Sequence, residues 1–91
     1  MLEFEWDADK AALNVAKHGV SFEEAATVFG DPLSLTVYDP DHSQDEDRFI
    51  TMGTSTDGRL MLVSHTDRDN RIRIISARVA TKRERKAYEN G

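Results

Sequence analysis

The 91-residue chain contains no cysteine, which excludes a disulfide framework and any thiolate metal centre and agrees with a reducing compartment such as the cytoplasm. It also lacks a long apolar run, and Glu3 and Glu5 stand near the start where a secretory leader would carry basic residues. The sequence therefore predicts neither a signal peptide nor a membrane span. Internal repeats, low-complexity tracts and linker-like stretches are missing too, so residues 1–91 are expected to form one domain. A chain of this length buries only about 60–65% of the surface its unfolded form exposes, enough for a thin core between a sheet and a few helices.

Basic residues are scarce in one half. Residues 1–47 hold twelve acids against Lys10 and Lys17, a balance of −10, whereas residues 48–91 hold ten Lys/Arg against five acids, a balance of +5. The net charge of −5 thus conceals a dipolar molecule. Its second half can receive a polyanion while its first half repels one, and the same layout suits a protein partner that carries a basic segment.

What is present is a legible succession of elements. Leu2, Phe4 and Trp6 alternate with Glu3 and Glu5, the pattern of an edge strand with one buried face. Asp7 can cap a helix over Ala8–His18 that Gly19 ends, and Ser21-Phe22-Glu23-Glu24 reads as a capping box, stapled by Val20 and Ala25, for a short second helix reaching Gly30. After the Asp31-Pro32 turn, alternation over Leu33–Tyr38 predicts a strand, and the acidic stretch Asp39–Asp47 predicts a solvated, mobile loop. Arg48–Ser55 and Arg59–Thr66 flank Asp57-Gly58, which predicts a type I′ hairpin. A turn at Asp67–Asn70 leads into Arg71–Arg78, and Thr81-Lys82-Arg83-Glu84 is a second capping box that opens a basic helix to about Tyr88. The expected fold is α+β, in β-α-α-β-β-β-β order with a C-terminal helix and a mainly antiparallel sheet packed on helices in two layers. On an unbroken strand, Arg71, Arg73 and Ile75 would share one face and Ile72, Ile74 and Ser76 the other.

Most routes to chemistry close quickly. Asp39, Asp41, Ser43 and Asp45 fall at the alternate positions of a calcium loop, but Gln44 and Ile50 stand where a glycine and a glutamate are needed. His18, His42 and His65 are too far apart for a local metal pair, so no metal is expected. Asp57, Asp67, Asp69 and Glu84 sit in turns or at a helix start, where capping explains them, and Ser64 and Ser76 have no recognisable nucleophile context. A set of cations and histidines remains: Lys17, His18, Arg48, His65, Arg71, Arg73, Arg78, Lys82, Arg83, Arg85 and Lys86. Lys17 and His18 at a helix C-terminus are also explained by the backbone dipole, while an imidazole between two helices can serve as a proton donor or acceptor. Arg48 follows three acids and can simply pair with one, and His65 shares a strand face with Met61 and Val63 as a core histidine would.

Several blocks carry a resemblance. Phe4-Glu5-Trp6-Asp7, Lys10, Asn14, Lys17-His18-Gly19-Val20-Ser21-Phe22-Glu23-Glu24-Ala25, Asp31-Pro32, Asp47-Arg48-Phe49, the stretch Arg71-Ile72-Arg73-Ile74-Ile75-Ser76-Ala77-Arg78 and Arg83-Glu84-Arg85 together resemble the BrnT family. That resemblance implies a RelE-like fold and a bacterial type II toxin that cleaves RNA without metal or other cofactor and inhibits translation. It also implies a BrnA-type ribbon-helix-helix antitoxin that neutralises the toxin, with operator DNA bound through the complex. Cleavage through the ribose 2′-hydroxyl needs a base, an acid and cations for the phosphorane, and arginine can supply only the last. On this reading Arg48 and Arg78 hold the phosphate, Lys17 or His18 moves protons with His65 in reserve, and Arg71, Arg73, Arg83 and Arg85 contact flanking RNA. A different class is a non-catalytic module whose arginine face holds a partner protein or operator DNA, pairing with a ribbon-helix-helix antitoxin to co-repress its operon. A DNA-binding regulator is disfavoured, since no helix-turn-helix pairing precedes the short basic helix.

Overall fold

The computed structural model describes residues 2–91. Its elements are β1 (Glu3–Glu5), α1 (Ala8–His18), α2 (Phe22–Thr27), β2 (Leu35–Tyr38), β3 (Phe49–Thr54), β4 (Leu60–Arg68), β5 (Arg71–Val79) and α3 (Lys82–Asn90), with 3₁₀ turns at Val28–Gly30 and Pro40–His42. The strands form one five-stranded sheet in the order β1-β5-β4-β3-β2. β2 to β5 pair antiparallel, and β1 adds to β5 in parallel, with Phe4 opposite Ile72 and Glu5 opposite Arg73. No helix among the described residues is long and apolar enough to cross a membrane.

The core lies between one sheet face and the first two helices. Val20, Phe22, Ala25 and Val28 meet Met61, Val63, Ile74 and Ala77, with Phe4, Trp6, Phe29 and Ile72 packed around them. The Phe4–Phe29 and Trp6–Phe22 ring pairs, 5.4 and 5.9 Å between centroids, close its β1 end. Gly53 lets this layer sit close, because a Cβ there would lie 2.9 Å from Ser34 Cβ and 3.0 Å from Val28 Cγ1. On the opposite face, Ala87 and Tyr88 of α3 line a groove together with Leu35, Val37, Ile50, Met52 and Leu62. α3 leaves this apolar groove open, with Leu35 and Val37 still exposed, so the packed core stays between the other sheet face and the first two helices.

The local signals for helix ends hold. Asp7 accepts the Lys10 N–H, Gly19 terminates α1 at φ +68°, and Thr81 with Glu84 forms a complete capping box. At α2, Ser21 caps Glu24, but the Glu24 carboxylate does not return to the cap. It accepts from Arg59 and from Ser55 Oγ (2.8 Å) and so ties the helix to the β3–β4 hairpin.

Five expectations change. The Asp57-Gly58 turn is not type I′: only Gly58 has positive φ (+83°), and its N–H donates to Ser55 O while Ser55 N–H donates to Arg59 O. This is a type I turn followed by a left-handed glycine. The turn with two positive φ values lies instead at Asp69 (+46°) and Asn70 (+70°), residues suited to that region, between the paired Arg68 and Arg71. β2 starts at Leu35 because Asp31 holds the N–H groups of Leu33 and Ser34 in a turn. The acidic stretch is solvated as expected, with Asp41, His42, Gln44, Asp45 and Asp47 exposed, but it also carries defined local structure, since Asp39 N–H donates to Arg48 O and Ser43 Oγ bonds Asp39 O and Arg48 N–H. Finally, β5 is bulged: Ser64 faces Ser76 but His65 faces Ile74, leaving Ile75 unpaired. The bulge resets the alternation, so Ser76 lies on the face of Arg73 rather than on that of Ile74.

Candidate active site

The β5 bulge sits where two grooves meet. The first is lined by Asp39, His42, Arg48, Ile50, Ser64, Ile75 and Ser76. The second runs along α1 and is lined by Lys10, Leu13, Asn14, Ala16, Lys17, His18 and again Ile75 and Ser76. Asn14 fixes the helix to the bulged strand. β1 pairs only with residues 71–73 of β5, and beyond it the edge of β5 is covered by the Asn14 amide, which donates to Ala77 O (2.8 Å) and Val20 O (2.9 Å) and accepts from Ala77 N–H (3.1 Å).

Lys17 and His18 reach the second groove from the last turn of α1, and Arg48 reaches the first from the residue before β3. The structure thus brings these three sequence candidates to adjoining grooves. Arg48 stands out electrostatically. Six of the eight arginines pair with carboxylates, and among the described residues only Arg48 and Arg83 do not. The Nε of Arg48 is buried without a hydrogen-bond partner among the described residues, whereas buried polar groups ordinarily have one.

Arg78 lies two residues along β5 from Ser76, yet its guanidinium is engaged by Glu84 in a bidentate pair of 2.7 and 2.8 Å. The guanidinium and the Thr81 N–H together hold the Glu84 carboxyl down at about 2, and Glu84 in turn raises Arg78 above the ordinary arginine value. Arg73 donates to Glu5 (2.8 Å), and Arg71 lies 3.8–3.9 Å from Glu5 and Glu3, so both face the acids of β1. Arg83 and Arg85 are exposed on α3, with Arg85 facing Glu89 one turn on at 3.9 Å. None of these five lines either groove. His65 is buried on the core side, bonded to Thr51 Oγ1 (2.8 Å) and packed against Phe29 and Phe49. Burial lowers its pKa, an effect that the nearby Asp67 opposes.

One pair escaped the sequence reading. His42 Nδ1 lies 2.8 Å from Asp39 Oδ2 across the Pro40–His42 turn, beside Arg48. The signal was Asp-Pro-Asp-His: a proline at the first position of a turn sets an i,i+3 pair, but the surrounding acids made it look like featureless loop. A shallower hollow on the outer side joins His42 and Arg48 to Asp41, Asp45 and Glu46, and its acids disfavour a polyanion there.

The sequence model of a family described as the ribonuclease toxin BrnT of type II toxin–antitoxin systems matches residues 6–84. The chain belongs to the BrnT family. Membership makes it a toxin of a type II toxin–antitoxin system, of the ribonuclease class, and so one with an antitoxin partner. The crystal structure of the Brucella abortus ribonuclease toxin BrnT superposes with a TM-score of 0.66 over 90% of this chain and 100% of that one, at 21% identity, a likeness of fold. Comparison with curated protein sequences gives no significant match. The matched segment contains both grooves and ends at Glu84, inside α3.

Proposed function

We propose that this BrnT-family chain is a metal-independent endoribonuclease with a RelE-like fold that cleaves RNA through its own 2′-hydroxyl and thereby blocks translation. The observation that carries the proposal is Arg48, a guanidinium without a carboxylate, in a groove that adjoins the one bearing Lys17 and His18. A cation held beside the scissile phosphate stabilises the charge that develops on the phosphorane, and removing one such donor typically costs about 10²–10³ in rate. Arg48 takes that position. Lys17 and His18 transfer protons, and Arg78 joins the phosphate when RNA competes with Glu84 for its guanidinium. Arg71, Arg73, Arg83 and Arg85 guide the strand on either side.

Family membership supports the partner side of the proposal: a BrnA-like ribbon-helix-helix antitoxin in the cytoplasm, with operator DNA reached only through the complex. A second reading, a binding module without catalysis, has one observation in its favour, since Arg71, Arg73 and Arg78 spend their charge on Glu3, Glu5 and Glu84. End-labelled RNA incubated with the purified toxin in EDTA separates the two. Products ending in 2′,3′-cyclic phosphate and 5′-hydroxyl are expected, with a loss of about 10²-fold or more in the folded Arg48→Ala variant. Absence of cleavage by the wild-type protein would leave the binding module.

A further inference from the structure

Resting on that reading, we infer that His42, oriented by Asp39, is the general base of the cleavage reaction. The geometry is that of an imidazole held from behind. Asp39 stands just before the Pro40–His42 turn, where an aspartate ordinarily caps the turn with its side chain, but it makes no such bond. Its carboxylate, 14% exposed, turns instead to His42 Nδ1 at 2.8 Å, while the imidazole is 65% exposed. The ring thus stands in solvent while the carboxylate that holds it is largely withdrawn from it. With Nδ1–H donating to Asp39, the lone pair is on Nε2, the tautomer a base needs.

The dyad and the phosphate-binding cation are fixed to one another through the backbone. Asp39 N–H donates to Arg48 O (2.8 Å), and Ser43 Oγ, one residue after His42, accepts the Arg48 N–H (2.9 Å) and donates to Asp39 O (2.5 Å). Three short bonds therefore set where His42 stands relative to Arg48 and to the groove floor of Ser64 and Ser76. The charged groups lining the two hollows beside His42 are Asp39, Arg48, Asp41, Asp45 and Glu46.

In the step, His42 Nε2 takes the proton of the 2′-hydroxyl as O2′ forms a bond to phosphorus. The P–O5′ bond breaks with its electron pair leaving on O5′, which takes a proton from the Lys17–His18 side of the paired grooves. The products are a 2′,3′-cyclic phosphate and a 5′-hydroxyl, and His42 returns its proton to solvent. Asp39 is a positioning residue that holds the tautomer and stabilises the imidazolium.

The test uses two substrates: an RNA with a normal scissile linkage, and the same RNA with sulfur in place of the bridging 5′-oxygen, a leaving group that needs no acid. His42→Ala, at an exposed site and checked for an unchanged melting temperature, is expected to lose about 10²-fold or more in kcat/KM on both substrates. Added imidazole is expected to restore part of that loss. Lys17→Ala with His18→Ala should lose activity on the oxygen substrate and regain it on the sulfur one. Asp39→Asn should lower kcat more than it raises KM and shift the acidic limb of the pH–rate profile, as loss of a mere turn contact would not. Full activity of His42→Ala, or its recovery on the sulfur substrate, would overturn the assignment of the base while leaving ribonuclease function intact. An inactive wild-type protein would overturn both.

Discussion

Asn14 offers the sharpest check on how the fold is held together. It is 6% exposed, and its side chain supplies all three bonds that join α1 to the open edge of β5 and to the start of α2. A typical buried hydrogen bond contributes about 1 kcal/mol net, and a buried group left unpaired costs about 1–3 kcal/mol. Asn14→Ala strands the Ala77 N–H and two carbonyls, so we expect a loss of about 3–4 kcal/mol. For a domain of this size that is about 12–30 °C in melting temperature. Asn14→Asp is the more telling variant. It keeps the acceptor for Ala77 N–H but places a carboxylate oxygen where the amide donates to two carbonyl oxygens at 2.8 and 2.9 Å. Its destabilisation at neutral pH should match or exceed that of Asn14→Ala. The carboxyl would be raised in the folded state above its unfolded value of about 3.9, because only its protonated form can donate to one carbonyl. The deficit relative to wild type should therefore be full above the folded-state value and shrink as pH falls through it. Urea denaturation from pH 8 to pH 4 reads this directly, and hydrogen exchange at the Ala77 amide reports the same opening locally. An Asn14→Asp protein as stable as wild type at pH 7, or equally unstable at every pH, would refute the reasoning.

Three further outcomes follow from particular contacts. Arg59→Ala leaves the Glu24 carboxylate, 9% exposed, with Ser55 alone; the melting temperature should drop by several degrees, and less so in acid, because the depressed Glu24 pKa means its contribution is present above the unfolded value of 4.5 and lost as pH falls. The Glu84 carboxyl, at about 2 against an unfolded 4.5, stabilises the fold above pH 4.5 and loses that effect as pH falls toward 2. With Arg78 open to solvent we discount the effect to about 1 kcal/mol, and the stability gap between wild type and Glu84→Gln should close over that window in acid titrations. Gly53→Ala should cost about 1–3 kcal/mol by overpacking against Ser34 and Val28, and a chemical denaturation curve coincident with wild type would show that the layer can give.

What the sequence discloses is what is local. Caps at Asp7, Gly19, Ser21 and Thr81 are legible because each depends on neighbours three or four residues away. The strands are legible because alternation marks a half-buried face. The bulge at Ile75 is not, since it exists only in the pairing of β5 with β4, and it moves Ser76 to the face opposite the one that simple alternation assigns. The parallel docking of β1 on β5 joins residues 68 positions apart and leaves no local trace. At the candidate site, composition picks out the cations but not their partners. Glu84 reads as a cap from sequence, and only the structure shows that its carboxylate also engages Arg78. His42 was hidden for the opposite reason, because the acids around it suggested solvent rather than a turn that orients a ring.

The pairing of six arginines with carboxylates bears on how the toxin meets bulk RNA. Affinity for a polyelectrolyte that comes from displaced counterions rises with the number of phosphates neutralised, with a slope near −0.7 per contact for single strands on a log–log plot against salt. Lys10, Lys17 and Arg48 are the cations the grooves offer without an ion-pair partner among the described residues. About three contacts give a slope near −2, shallow beside that of a dedicated nucleic-acid binder. On the proposed reading, a molecule of net charge −5 arranged in this way would hold a scissile phosphate at one point and be repelled elsewhere, so it would sample many strands briefly without being sequestered on the first it meets.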